Sequence, residues 1–409
     1  MKHVSMKLAP DALRALPMPT PEAAAHSHAL ARGIAATIDE AGGAIAFSRF
    51  MELALYAPGL GYYSAGATKF GAAGDFVTAP ELGPVFAACV ATALAPVLQA
   101  IGPGARVLEL GGGSGAFAQV ALKRLMELDA LPDRYSILEP SAELRERQRM
   151  RLRESLAPPL FALVEWPDGP FDDDWDGVVF ANEVIDALPT SRFAIVDGEV
   201  HEEHVAVEGE DDGMPRFARV LRPADAFLSQ AVRHVERTLD APLPEGRRGE
   251  LLPQLPYWIQ AVSGGLKRGA MLFVDYGAPR RELHADAHAD GTLRAFARHR
   301  VHGDVLRWPG LQDITASVDF TALAEAGVNA GFDLAGYCSQ ASFLMGNGLH
   351  DVLARIEGIA DDVERLRRTA EVKQLTLPES MGERFGVMGF AKDVPLEAAF
   401  LVGDLTWRL

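Results

Sequence analysis

The run Arg106-Val-Leu-Glu-Leu-Gly-Gly-Gly-Ser-Gly-Ala-Phe117 constrains this chain more than any other stretch. Val107, Leu108 and Leu110 make a short apolar strand, and Phe117, Val120, Ala121, Leu125 and Leu128 then recur at helical spacing. Between them, Gly111, Gly113 and Gly115 permit positive φ and a close backbone approach, while the first turn of the helix aims unpaired N–H groups at whatever fills the turn. A strand, a glycine turn and a helix in this order build a site for a nucleotide-type ligand.

Two ligands fit that turn. Gly111, Gly113 and Ala116 satisfy the dinucleotide pattern G-x-G-x-x-G/A, which admits NAD and an oxidoreductase. Glu109, two residues before the first glycine in the pattern E-x-G-x-G-x-G, argues for S-adenosylmethionine instead, because a carboxylate attracts its ammonium and repels a pyrophosphate. A second short strand, Tyr135-Ser-Ile-Leu-Glu139, ends in an acid able to accept both hydrogen bonds of a ribose diol, an arrangement that suits either ligand. The residues favour adenosylmethionine, with NAD as the alternative.

A chain of 409 residues, 48% hydrophobic, can bury a large core and carry more than one domain. Its net charge of −17 argues against a nucleic-acid or anionic-membrane surface and favours a basic protein or peptide partner. The cluster Arg145 to Arg153 alternates with Leu144, Leu152 and Leu156 and reads as the solvated face of a helix. Cys89 and Cys338 alone make no disulfide framework or cysteine zinc site, and a reducing compartment is expected. No apolar run reaches membrane-spanning length and no secretory signal is evident, so a bacterial chain is expected in the cytoplasm and a eukaryotic one in the mitochondrial matrix.

Strand and helix signals alternate in the α/β manner. Leu160 to Val164, Gly177 to Ala181 and Ala270 to Val274 are further short apolar strands of a doubly wound parallel sheet. Residues 1–100 read as an N-terminal helical region, 101–193 and 263–409 as the core, and 194–262 as an insertion containing a hairpin over Ala194 to Val207. The polar segment 278–317, rich in His and Arg, is a lid candidate. Its His284, His288, His299 and His302 follow no standard metal spacing. Residues 348 to 374 read as a charged helix, and Phe385 to Phe390 as a late strand.

A second constellation, Phe180-Ala-Asn-Glu-Val-Ile-Asp-Ala-Leu-Pro-Thr190, follows the fourth strand. Ligands of open α/β sheets lie beyond the carboxyl ends of the strands, which puts Asn182, Glu183 and Asp186 by the same crevice as the glycines. Glu183, assisted by Asp186, can bind a guanidinium, localise its charge on the non-reacting nitrogens and accept its proton. The structural alternative is that Asn182 caps a helix and Asp186 pairs with Arg192. Asp275-Tyr276, ending the fifth strand, lies on the same edge, where Tyr276 reads as packed, and Asp313 and Asp319 are candidates for shaping an acceptor channel.

These segments resemble the MidA-like family over most of the chain. The resemblance rests on Phe50-Met-Glu-Leu-Ala-Leu-Tyr-Ala-Pro-Gly-Leu-Gly-Tyr-Tyr63, Phe70-Gly-Ala-Ala-Gly-Asp-Phe-Val-Thr-Ala-Pro-Glu-Leu82, Glu109-Leu-Gly-Gly-Gly-Ser-Gly115, Asn182-Glu-Val-Ile-Asp-Ala-Leu-Pro189, Val274-Asp-Tyr-Gly277 and Asp313-Ile-Thr-Ala-Ser-Val-Asp-Phe320. It implies a Rossmann-like class I methyltransferase fold with a mostly parallel seven-stranded sheet, and S-adenosylmethionine as donor. For the family's mitochondrial member it implies an arginine of a complex I core subunit as acceptor. It further implies that Gly74, Asp75, Thr78 and Glu81 help close the cofactor site from the N-terminal side, adding to Glu109, Gly111, Gly113, Gly115, Glu139 and Asn182 as the cofactor-binding candidates. Val184-Ile185 departs from the family, which often has an aromatic before the Asp. A non-catalytic assembly factor of the same fold is the remaining alternative, although its expected damage to the glycine turn or the acids is not seen.

Overall fold

The computed structural model describes residues 18–64, 78–211, 213–298 and 300–409. Contacts divide the chain into two units, one formed by Val77–Ile185, Gln254–Pro279 and Phe320–Leu409, the other by the described residues of Met1–Phe76, Asp186–Pro253 and Arg280–Asp319. This division differs from the segmental one expected above. The N-terminal hundred residues are split between the units, because the helix Val85–Ile101 packs into the sheet core of the first while Leu30, Ile34, Phe47 and Phe50 pack with Val205, Phe217, Ala295 and Ile314 of the second.

The first unit holds a seven-stranded sheet: β1 Arg106–Leu110, β2 Arg134–Leu138, β3 Val164–Glu165, β4 Trp175–Asn182, β5 Leu266–Ala278, β6 Asp333–Ser339 and β7 Phe385–Lys392. The strand order is β6-β7-β5-β4-β1-β2-β3, with β7 antiparallel to both neighbours and every other pairing parallel. This is the class I methyltransferase arrangement that the resemblance implies. Central strands β1, β4 and β5 are almost wholly buried and read as continuous apolar runs, as strands covered on both faces must. Stacking of Phe117 on Phe180, with centroids 4.1 Å apart, seats the helix Ala116–Glu127 on the sheet.

Two expected elements differ. Pro158 and Pro159 start a helical turn, Pro158–Phe161, so the strand expected over Leu160 to Val164 is confined to Val164–Glu165. Residues 348 to 374 form two helices, Leu349–Glu357 and Asp362–Thr376, the second opened by the Asp361 side chain accepting from the Val363 N–H. Strand β6 had no apolar signature because it is the sheet edge, where half-exposed polar residues are tolerated.

In the second unit the expected hairpin forms from strands Ser191–Val196 and Glu199–Asp211, which pair antiparallel, and Met214–Pro223 and Arg248–Leu251 extend that sheet. Segment 278–317 contributes a small antiparallel sheet, Arg294–Ala297 flanked by Arg300–His302 and Asp313–Thr315. Arg192, 1% exposed, donates to Glu203 at 2.6 Å and to Glu250, and Glu250 in turn accepts from the Thr292 N–H at 2.7 Å, fastening this segment to the sheet. Arg192→Met takes a cation from two buried carboxylates, leaving Glu203 with Arg248 and Arg219 and Glu250 with Thr292 among the described residues. We expect a stability loss of about 3 kcal/mol by urea denaturation, and an unchanged midpoint would mean the buried ion network is energetically neutral.

Candidate active site

The chain order reverses between β1 and β4, which are adjacent and in register, Leu110 opposite Ala181. Their carboxyl ends therefore place the glycine turn and Asn182-Glu183 side by side at the topological switch point of the sheet. Gly111, Gly113 and Gly115 all take positive φ, +64°, +52° and +81°. Gly111 N–H donates to Leu138 O at the end of β2, and the helix begins at Ala116 with Gly115 as its left-handed N-cap. Gly112, which the sequence pattern does not single out, is required by packing: a Cβ there would lie 2.5 Å from Ile137 Cγ2.

Both acids expected by the cofactor are buried. Glu109 is 3% exposed and accepts from the Tyr135 hydroxyl at 2.8 Å. Burial pushes its carboxyl up to about 7, Glu139 adds to the rise, and the Tyr135 hydrogen bond opposes it. Glu139 Oε1 accepts from the Ser141 N–H at 3.0 Å and Oε2 from Gln148 at 3.3 Å. The same Gln148 amide donates to Gly113 O at 2.9 Å, and its oxygen accepts from Trp166 Nε1 at 2.8 Å, so one buried side chain ties the glycine turn to the second acid. Gln148 is not among the residues singled out from the sequence; the one signal for it is a polar residue set between Leu144 and Leu152 at four-residue spacing, the buried stripe of its helix.

Glu81, on the short helix Ala79–Leu82, accepts from the Ser114 hydroxyl inside the glycine turn, and Arg151 donates to Ser114 at 2.6 Å. Thr78 is the N-cap residue of that helix. Arg145 donates to Glu139 O, so two arginines of the charged helix serve the turn and the acid and are not simply a solvated face, as the sequence suggested. Gly74 and Asp75 lie outside the described residues.

After β4 the chain enters a turn, not a helix, so Asn182 caps none. Asn182 Nδ2 donates to Glu183 Oε1 at 3.0 Å, whereas its buried Oδ1 has no hydrogen-bond partner among the described residues. Glu183 adopts φ +54°, a left-handed conformation that a non-glycine residue holds only against strain. Asp186 belongs to the second unit, where its carbonyl accepts from the Ala316 N–H at 3.0 Å. It does not take Arg192, whose partners among the described residues are Glu203, Glu250 and Asp290. In the same unit Tyr63 donates to Asp313 at 2.9 Å, stacks on Tyr56 and has its hydroxyl pushed well up, by burial first and by the charges of Asp313 and Asp186. Asp319 pairs with Arg280 at 2.9 Å. His284 is pushed down to about 4 by burial beside Arg247 and Arg280, His302 is buried, and His299 lies outside the described residues. Among the described residues no three His, Cys, Asp or Glu side chains gather as metal ligands, and no helix is long and apolar enough to cross a membrane.

A buried acceptor without a partner among the described residues, two buried carboxylates and a glycine cradle fit adenosylmethionine, which brings an ammonium and a ribose diol; of the two acids, Glu109 is the one that does not suit a pyrophosphate. Such a fold and site define a methyltransferase. Residues 89–338 match the family described as "Putative S-adenosyl-L-methionine-dependent methyltransferase", and the chain belongs to that family, with S-adenosylmethionine as its cofactor. It is similar to a Burkholderia thailandensis protein crystallised with S-adenosyl-homocysteine, at 42% identity and TM-score 0.88, covering 97% of this chain and 100% of that one. Curated relatives include "Protein arginine methyltransferase NDUFAF7, mitochondrial" from Danio rerio, 29% identical over 84% of this chain and 82% of that one, and from Homo sapiens, 28% identical over 84% and 79%.

Glu109 gives this site a pH signature. If Glu109 meets the ammonium, its carboxyl offers less countercharge as pH falls through about 7, so adenosylmethionine affinity should rise as pH climbs through that range and level off above it. Tyr135→Phe removes the one interaction holding that pKa down and should move the midpoint upward. Calorimetric titration from pH 6 to 8.5 checks both, and a flat profile would take Glu109 out of ammonium recognition. The same raised pKa makes the apoprotein lose stability as pH rises from the ordinary carboxylate range through 7.

Proposed function

We propose that this methyltransferase methylates an arginine side chain of a partner protein, the respiratory complex I core subunit implied by the family resemblance being the first acceptor to test. The observation that carries the reading is Glu183: a half-buried carboxylate held in a left-handed turn at the carboxyl end of β4, beside the orphaned oxygen of Asn182. The names of the curated relatives support arginine as acceptor. The sequence-level charge of −17 agrees with a basic partner segment.

Adenosylmethionine, when bound, supplies a methyl group on a sulfonium, already activated for attack. Glu109, Glu139, Asn182 and the glycine turn, with Thr78, Glu81 and the flanking Gly74 and Asp75, are the residues we assign to holding it. What remains for the protein is orientation and proton handling. A guanidinium has a pKa above ~12 and delocalised lone pairs, so it is a poor nucleophile as it arrives. Glu183 binds it through charge-assisted hydrogen bonds, draws positive charge onto the non-reacting nitrogens and accepts the proton released. Asp186, three residues further along the chain, is kept as the assisting carboxylate on its sequence position.

The test is transfer of isotopically labelled methyl groups to the purified complex I core subunit and to arginine-rich peptides, followed by hydrolysis and separation of the methylated amino acids. Label on arginine is expected. Label on another residue or on a small molecule would displace arginine, and adenosylmethionine binding without any transfer would favour the assembly-factor reading.

A further inference from the structure

The left-handed conformation of Glu183 has to be held by something. A non-glycine residue in that region pays of order 1 kcal/mol or more and persists only where its surroundings over-determine it. Three backbone hydrogen bonds do so here, all to β5. Glu183 N–H donates to Val274 O at 2.9 Å, continuing the parallel ladder in which Val274 faces Asn182. Val184 and Ile185 N–H groups then both turn to one carboxylate oxygen, Asp275 Oδ2, at 3.3 and 2.9 Å. The second oxygen, Oδ1, accepts from the Tyr276 N–H at 2.8 Å, so the carboxylate is locked in its orientation by its own strand. Asp275 is 1% exposed. Successive N–H groups converging on an anionic oxygen after a left-handed residue form a nest, normally filled by a bound anion, and here filled by a side chain from the neighbouring strand.

We propose that Asp275 is the positioning residue of the acceptor site: it clamps the Val184-Ile185 backbone, fixes Glu183 in its left-handed conformation and thereby aims the Glu183 carboxylate. The sequence places Asp275 on the edge of the crevice but gives it no role, because nothing in the local pattern shows that β5 lies next to β4. Asp275 acts through the backbone and touches no reacting atom. Its negative charge is what the nest requires, since a neutral amide at this place turns a donor toward either Tyr276 N–H or the 184–185 pair. The role rests on the assignment of Glu183 given under the proposed function.

Two measurements on the full chain separate the two ideas. Hydrogen exchange of the Val184 and Ile185 amides reads the clamp without reference to activity: both should be protected in the native protein and exchange fast in Asp275→Asn. Methyl transfer to the arginine acceptor reads the consequence: Asp275→Asn should lower kcat ~10–100-fold, the loss expected of a misaimed group, with KM and adenosylmethionine affinity within about threefold. In a Glu183→Gln background the same substitution should add less than about twofold, because both act on one group. Additive losses, unchanged kcat, or unchanged amide protection in Asp275→Asn would each overturn the proposal. If Glu183→Gln alone keeps full turnover, the catalytic assignment of Glu183 fails and the aiming role with it, whatever the exchange data show of the clamp. Asp275→Ser, smaller and still an acceptor, is read in the same way should the Asn variant not fold; if neither folds, Asp275 is a structural residue and the positioning role is wrong.

Discussion

Glu183→Gln is expected to abolish most methyl transfer, lowering kcat by ~100–10,000-fold, while adenosylmethionine affinity changes less than about threefold. The replacement is isosteric, and a Gln oxygen still accepts from Asn182 Nδ2, which stands 3.0 Å from Glu183 Oε1. Gln tolerates the left-handed backbone about as well as Glu, so the thermal midpoint should hold within a few degrees. What the substitution removes is the negative charge that binds a guanidinium and the basic site that takes its proton. Because the incoming methyl group brings positive charge to a guanidinium that is already cationic, both matter more in the transition state than when the guanidinium first docks, and the loss should fall on kcat more than on KM. A variant with unchanged kcat would take Glu183 out of the mechanism. One with unchanged kcat and raised KM would reduce it to a docking contact.

The core of the site was legible in the sequence because its physics is local. A strand, three glycines and a helix are contiguous, and each glycine sits where the structure takes positive φ. Glu109 and Glu139 were readable because an acid inside or at the end of an apolar strand demands an explanation. The rest is relational. Tyr135 and Gln148 acquire their roles only once β2 and the helix Ala142–Ser155 lie against the glycine turn, and Asp275 only once β5 is placed beside β4. The division into two units was hidden for the same reason: segments 186–253 and 280–319 are far apart in the chain, yet Arg192, Glu250 and Thr292 bind them together. Sequence spacing also tempted the pairing of Asp186 with Arg192, whereas strand register gives Arg192 to acids on two neighbouring strands.

Gly113→Val carries the second large effect, on binding and not on turnover. At φ +52° a β-branched residue is strained by roughly 1–3 kcal/mol, and relief requires the turn to move to negative φ. That movement displaces Gly113 O from the Gln148 amide, 2.9 Å away, and so loosens the link between the turn and Glu139. The new side chain also stands where a ligand must approach the backbone. Adenosylmethionine and adenosylhomocysteine affinities should each fall at least ~100-fold, a change of about 2.7 kcal/mol, while the sheet, which does not depend on this residue, stays folded. Parallel titration of the native protein with NAD should give no binding, since a pyrophosphate brought to this turn would meet the buried acid Glu109. Retained adenosylmethionine affinity in the variant would move the cofactor away from the glycine turn, and with it the reason for placing an acceptor beside Glu183.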